Sequence, residues 1–259
     1  MFLAHCNWQE AEGLLRKENL VVVVPVGSTE QHGPIGPLGT DFIVPTHLAA
    51  CIEKRTEILV TPTVPFGVAP HHQAFPGTID IGFEGLYLVL TSIVRDLMRH
   101  GAKKFLFLNG HGGNDTAIDK VGLEAFRQGA LCAQINWWSL APALNPEWVT
   151  GHGDAQEVAM IRAIDPALIH DEWIRETRVN HMSPLLQNTH LSQVRFNGAG
   201  VKVIRDVRAT VDTGAFGGLD SSHGTLEWGQ AMLPAVIDYC TAFIDEFRRV
   251  DNAGAHAHD

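Results

Sequence analysis

The chain has 259 residues, of which 45% are hydrophobic and 19% are charged, so it can bury a sizeable core within one domain. The formal net charge of −10 at pH 7 disfavours nucleic acid and anionic membrane surfaces as partners. No apolar run approaches the roughly 20 residues that are needed to cross a bilayer. We therefore expect a cytoplasmic protein with a small-molecule substrate, a single domain over residues 1–250 and a disordered tail over residues 251–259.

Helices and buried strands alternate along the first half of the chain. Helical periodicity predicts helices at Trp8–Lys17, Val44–Thr56, Phe83–His100 and Asn114–Gln128, with Asn7 and Asn114 as N-caps. Continuous apolar runs predict buried strands at Leu20–Val26, Ile58–Val64, Phe105–Leu108 and Leu131–Ile135. This order predicts an α/β fold, a three-layer sandwich with a mostly parallel central sheet and helices on both faces. Beyond Trp138 the composition indicates loops, closed by a helix over Leu226–Val250.

The loop after the first predicted strand carries three side chains that can bind a metal. Glu30, His32 and Asp41 follow that strand, and we expect all three to lie on its loop. Carboxylates and imidazoles are ligands of divalent cations such as Zn²⁺, Mn²⁺ or Fe²⁺. A surface glutamate and a capping aspartate near an unrelated histidine would give the same pattern, so this loop alone decides nothing.

Two further segments carry histidines at positions where the fold predicts a site. His111 lies among glycines at the end of the Phe105–Leu108 strand, where a histidine has little packing reason to be. The alternative is an anion-binding turn at a helix N-terminus. His152 precedes a predicted helix start that includes Glu157, which is also typical of a helix with acidic first-turn residues. Ligands of parallel sheets bind beyond the carboxyl ends of the strands, so we expect these segments to meet.

Four segments in this order resemble the creatininase family of metal-dependent hydrolases. They are GSTEQHGPIGPLGTD at Gly27–Asp41, FPGT at Phe75–Thr78, NGHGGN at Asn109–Asn114, and His152–Glu157. The resemblance implies a creatininase-like fold and two divalent metal ions per chain. It implies that Glu30 and His111 bind one metal, that His32 binds the other, and that Asp41 bridges both. Family members are commonly homo-oligomers, often hexamers, and we expect a homo-oligomer here.

The sequence departs from the family at two positions. Creatininase has a glutamate two residues after the NGH histidine, where this chain has Gly113. Relatives that lack this glutamate resemble this chain at Glu157, which we therefore expect to be the missing ligand, with Asp154 as an N-cap. Ile35 replaces a histidine of many relatives, which suggests a different pocket lining.

The resemblance also implies roles around the metals. His152 would carry a proton to the leaving group, although a capping role is the alternative. His72 would contact substrate or orient the reacting group, whereas His71 is expected to face solvent. Trp138 is a candidate pocket wall, with a core position as the alternative.

The implied reaction is attack of metal-bound hydroxide on a carbonyl carbon, which cleaves a small cyclic or formamide-type C–N bond. The same ligands would serve hydrolysis of a C–C bond in a cyclic diketone such as an oxidised inositol. A non-enzymatic reading is a small-molecule binding protein on the same fold.

Overall fold

The computed structural model describes residues 1–149, 151–217 and 219–251. Four parallel strands form the central sheet in the order β2-β1-β3-β4. The strands are β1 (Val22–Val26), β2 (Leu59–Val60), β3 (Lys104–Asn109) and β4 (Leu131–Asn136). Every residue of β1 and β3 is buried, because helices cover both faces of the sheet.

The helices form two layers. They are α1 (Trp8–Leu15), α2 (Thr40–Glu53), α3 (Gly82–Arg99), α4 (Asp115–Phe126), α5 (Trp137–Leu144), α6 (Ala155–Ile164) and α7 (Leu226–Phe247). One apolar core joins Val22 and Val24 of β1 to α1, α3 and α4. A second core joins Val23 of the same strand to α2, α5, α6 and α7. Alternate residues of β1 thus point into opposite cores, and the predicted three-layer α/β sandwich is confirmed.

Three local predictions were wrong. The second helix begins at Thr40 rather than Val44, so Asp41 lies in its first turn and not on the preceding loop. The predicted Ile58–Val64 strand shortens to Leu59–Val60, because Pro62, two residues after Val60, has no N–H to pair. Asn114 makes no cap for α4, since its side chain bonds instead to Gly27 and Val68.

A small antiparallel sheet lies in the region that the sequence analysis assigned to loops. It comprises β5 (Gln187–His190), β6 (Gln193–Phe196) and β7 (Ala199–Lys202) in sequential order. Asn197 and Gly198 both have positive φ, as a two-residue hairpin turn requires. This Asn-Gly pair was the available signal for the hairpin. Its strands are short and mostly exposed, so no hydrophobic alternation marked them.

No helix within the described ranges is long and apolar enough to cross a membrane. Of the tail expected over residues 251–259, only Asp251 is described, so residues 252–259 lie outside the described part of the chain.

Candidate metal centre

The five predicted metal-binding side chains converge at the carboxyl ends of β1 and β3. All are buried, and their ligand atoms fall into overlapping groups within 4.8 Å of one another. One group is Glu30, Asp41 and His111, and a second is His32, Asp41 and Glu157. A third group joins His152 to Glu30 and His32. Side chains from four separate segments therefore meet where the strand order predicted.

Asp41 is the side chain shared by the first two groups. Its Oδ1 lies 2.9 Å from Nε2 of His32, and its Oδ2 lies 3.1 Å from Nδ1 of His111. The two oxygens therefore face different histidines, an arrangement that a carboxylate bridging two cations needs.

The backbone of Asp41 is held tightly against the sheet. A Cβ at Gly27 would lie 2.6 Å from its carbonyl carbon, and a Cβ at Gly110 would overlap its carbonyl oxygen. Pro45, four residues on, has no N–H to donate to that oxygen, so the oxygen is left without its usual helical donor. Glycines at the ends of β1 and β3 thus allow the start of α2 to approach both strands.

Glu30 and Asp41 carry buried oxygens without hydrogen-bond partners. Among the described residues, no donor satisfies either oxygen of Glu30 or Oδ2 of Asp41. Nδ1 of His111 lies 3.2 Å from Oε1 of Glu30 but outside hydrogen-bonding geometry. Buried carboxylate oxygens are costly when unpaired, and coordination of a cation would satisfy them. The donor set therefore fits divalent metal ions.

Main-chain carbonyl groups orient two of the histidines. Nδ1 of His32 lies 3.1 Å from the carbonyl oxygen of Glu30, which leaves Nε2 facing Asp41. Nε2 of His111 lies 2.9 Å from the carbonyl oxygen of Val68, which leaves Nδ1 facing the carboxylates. Such contacts fix the tautomer and the ring orientation of metal-binding histidines.

Glu157 and Asp154 occupy different environments. Oε2 of Glu157 accepts the N–H of Gly153 at 2.6 Å and lies 3.6 Å from Nε2 of His32. Asp154 belongs to none of the three groups, and its Oδ1 accepts the N–H of Gln156 as the N-cap of α6. The geometry thus brings Glu157 to the cluster and keeps Asp154 at the helix start.

Burial and mutual charge shift the pKa values of the cluster strongly. Burial raises the pKa of Glu157 to about 7 and also raises that of Glu30. Burial alone would lower the pKa of His32, but the charges of Asp41 and Glu157 outweigh it and raise the pKa to about 10. Burial lowers the pKa of His72 and His152, so both rings are neutral at pH 7. Without bound cations, protons therefore stay on the cluster, shared among its carboxylates and imidazoles.

The departure at Gly113 has a structural reason. A Cβ at this position would overlap the carbonyl oxygen of Val68, the group that anchors His111. A glutamate could therefore not be added to this backbone without displacing that anchor.

A cavity of about 360 Å³ opens onto the cluster. His72, Trp138 and His152 line it, together with Glu30, Asp41, His111 and Glu157. Trp137, its neighbour in the chain, is instead fully buried in the core. The expectation for Ile35 was wrong, since its side chain is buried in the core that contains α2 and α6 and does not line the cavity.

Sequence reasoning missed several residues around this cavity. His71 was expected to face solvent but is half-buried, lines the cavity, and has its ring centroid 4.2 Å from that of His72. His190 and Lys202 of the small sheet also line the cavity. Gln31 lies between Glu30 and His32 in the chain, and its buried side chain contacts both His72 and His152.

Comparisons with known proteins identify the family to which the chain belongs. The Creatininase family, described as creatinine amidohydrolase, matches residues 4–244. The mycofactocin precursor peptide peptidase of Mycobacterium tuberculosis (strain CDC 1551 / Oshkosh) is 31% identical over 233 residues, 85% of this chain and 82% of that protein. The 3-dehydro-scyllo-inosose hydrolase of Thermotoga maritima is 29% identical over 179 residues, 63% of this chain and 56% of that protein.

The fold is also found among solved structures. The structure named "Creatininase Mn" has a TM-score of 0.77 at 23% identity, and the match covers 95% of this chain and 98% of that chain. With the family match over nearly the whole length, the chain belongs to the creatininase family of metal-dependent hydrolases.

Proposed function

We propose that this protein is a dinuclear metal-dependent hydrolase that cleaves a C–N bond of a small cyclic amide or a formamide. The observation that carries the proposal is the pair of buried ligand groups that share Asp41. Glu30, Asp41 and His111 would hold one cation, and His32, Asp41 and Glu157 would hold the other. The ligand set suits zinc, manganese or iron. The solved relative whose name includes manganese supports such a metal.

When bound, two divalent cations supply a nucleophile at neutral pH and polarise a carbonyl oxygen as Lewis acids. The side chains of this protein supply the geometry. Asp41 fixes the spacing, because its backbone is confined between Gly27 and Gly110. The carbonyl groups of Glu30 and Val68 hold His32 and His111 with their free nitrogens facing the carboxylates.

His152 is the proposed proton carrier. Its Nε2 lies 2.7 Å from the carbonyl oxygen of Gln31, so this nitrogen bears the proton of the neutral ring. Its Nδ1 is then a free acceptor, 3.9 Å from Oε1 of Glu30. A neutral imidazole there can accept a proton from the nucleophile and deliver it to the leaving nitrogen. Trp138 and His72 would contact the substrate from the cavity wall.

A second candidate reaction is C–C hydrolysis of a cyclic diketone. The similarity to the Thermotoga inosose hydrolase favours it specifically. Both reactions need a nucleophile added to a carbonyl carbon, so the same side chains would serve either.

A substrate screen of the metal-loaded protein tests the proposal. Lactams, formamides, hydantoins, inosose-type diketones and a short peptide would be incubated with the protein, and the products would be identified by mass spectrometry. We expect turnover of a lactam, hydantoin or formamide that stops on chelation and returns when metal is added. Turnover of the diketone alone would replace the first proposal with the second. Turnover of none, or turnover that survives chelation, would contradict both.

An Asp41→Asn variant serves as the matched control in this screen, because it keeps the size of the side chain and removes one charged oxygen. Any turnover that persists in this variant belongs to a contaminant. The homo-oligomer, with a hexamer as the first form to test, stays a prediction that light scattering would check. The cytoplasmic location also stays a prediction.

A further inference from the structure

The side-chain amide of Gln31 has a fixed orientation. Its Oε1 accepts the N–H of Gly33 at 3.0 Å, and its Nε2 donates to the carbonyl oxygen of Gly214 at 3.2 Å. If the amide oxygen and nitrogen exchanged places, the nitrogen would face the N–H of Gly33 and the oxygen would face the carbonyl oxygen of Gly214. Neither hydrogen bond could then form. Gly214 has a φ of +89°, and a Cβ there would overlap Oε1 of Gln31, so the neighbouring backbone also leaves no room for another position.

This orientation determines the tautomer of His72. Nε2 of Gln31 lies 2.8 Å from Nδ1 of His72, and an amide nitrogen can only donate. Nδ1 of His72 must therefore accept, and the proton of the neutral ring is on Nε2. That nitrogen lies 3.4 Å from Oε1 of Glu30, so the N–H of His72 is on the side of a candidate metal ligand without a hydrogen bond to it.

The main chain of the same residue determines the tautomer of His152. The carbonyl oxygen of Gln31 can only accept, and it lies 2.7 Å from Nε2 of His152. Nε2 of Gln31 also lies 2.9 Å from the same ring nitrogen, but the carbonyl oxygen is closer, and His72 and Gly214 offer this amide two other acceptors. Nε2 of His152 is therefore the protonated nitrogen. The two rings lie side by side, with centroids 4.4 Å apart.

We propose that Gln31 is a positioning residue that sets the tautomers of His72 and His152 with its side chain and main chain respectively. His72 then presents N–H to Glu30, and His152 presents bare Nδ1 to the cluster. This inference rests on the proposed function only for the use of His152 as proton carrier. The assignment of the tautomers themselves rests on the contacts of Gln31.

Nitrogen-15 NMR of histidine-labelled, zinc-loaded protein tests the assignment, because protonated and bare ring nitrogens resonate in separate regions. His72→Gln and His152→Gln variants would identify the signals of the two rings. We expect both rings of the unmodified protein to carry the proton on Nε2. A proton on Nδ1 of either ring would overturn the proposal.

Gln31→Glu is the most informative variant. The side chain keeps its size, while the amide nitrogen that donates to His72 is replaced by a carboxylate oxygen, which accepts. We expect the proton of His72 to move to Nδ1 and that of His152 to stay on Nε2. If Gln31→Glu fails to fold, Gln31→Met decides, since loss of the donor should let Nδ1-protonated His72 appear. An unchanged His72 spectrum in the folded variant would overturn the proposal.

Gln156→Met is the matched control. Gln156 is another buried glutamine, whose amide donates to the carbonyl oxygens of Trp138 and Trp148 and to no histidine. The Gln156→Met protein should be less stable than the unmodified protein, and the spectrum of its His72 should be unchanged. With a substrate in hand, Gln31→Glu should lower kcat about 10- to 100-fold, by analogy with loss of the groups that orient histidines in metal sites, with a smaller change in KM. A loss confined to KM would overturn the positioning role, whereas the NMR result stands even if the protein hydrolyses none of the screened compounds.

Discussion

The carbonyl oxygen of Val68 lies 2.9 Å from Nε2 of His111, so the segment after β2 orients a side chain at the end of β3. The same carbonyl occupies the space in which a side chain at position 113 would begin. The carbonyl group of Val68 therefore anchors the candidate ligand His111. It also requires a glycine at position 113, two residues after that histidine.

Gly113→Ala should be destabilising and should weaken metal binding, because its Cβ would displace the Val68 carbonyl and release His111. Forced overpacking of this kind costs about 1–3 kcal/mol of unfolding free energy. Gly112→Ala is the control, since its Cβ would make only an ordinary contact of 3.7 Å with Trp138. Urea denaturation and metal analysis would compare the two variants, and equal behaviour would contradict this explanation.

Asp41→Ala should lose both metals, whereas Glu30→Ala and His32→Ala should each mainly weaken one. The reason is that Asp41, alone among the five candidate ligands, directs its two oxygens at different histidines. Elemental analysis of protein purified without chelator is the measurement, with close to two divalent ions expected for the unmodified chain. Retention of two ions by Asp41→Ala would mean that another residue bridges the pair.

Glu157→Gln should lower metal content, and Asp154→Asn should leave it nearly unchanged. Oε2 of Glu157 lies beside His32, whereas Asp154 caps α6 through Oδ1, an oxygen that asparagine keeps. Metal content and turnover would be measured for both variants. The reverse pattern, with metal lost only in Asp154→Asn, would assign the ligand to Asp154.

The metal-free protein should lose stability as the pH rises from 7 to about 8.5. The folded pKa of His32 is raised to about 10 from an ordinary 6.5, so the folded state holds a proton that the unfolded state has released. Each such proton lowers the free energy of unfolding by about 1.4 kcal/mol per pH unit in this window. The raised pKa of His111 acts in the same direction.

Urea midpoints in the presence of a chelator would measure this loss, with the zinc-loaded protein as control because cations replace those protons. The window ends below pH 9, since burial also raises the pKa of the Cys132 and Cys240 thiols to about 12. A chelated protein whose midpoint does not fall would show that the histidines are not held in charged form.

Much of the site's geometry follows from sequence because parallel strands end at one edge. Glu30 and His111 are far apart in the chain but follow β1 and β3, which are neighbours in the sheet. The contacts of Gln31 could not be predicted from the order of the strands. Its partners at positions 72, 152 and 214 come from loops whose relative placement no periodicity encodes. The sequence did not reveal the start of α2, because its N-cap is Gly39. Glycine has no side chain to make the capping hydrogen bond that usually marks the start of a helix.

Leu191, in the turn between β5 and β6, belongs with Val207 and Val211 to a small apolar group that is separate from the cores on either side of the central sheet. The small sheet β5-β6-β7 nevertheless supplies His190 and Lys202 to the cavity wall. Substitutions there change the shape and charge that an incoming molecule meets, while the strands that hold the carboxylates keep their packing. During evolution, the choice of substrate can therefore diverge in small sequence steps while the candidate metal ligands stay in place.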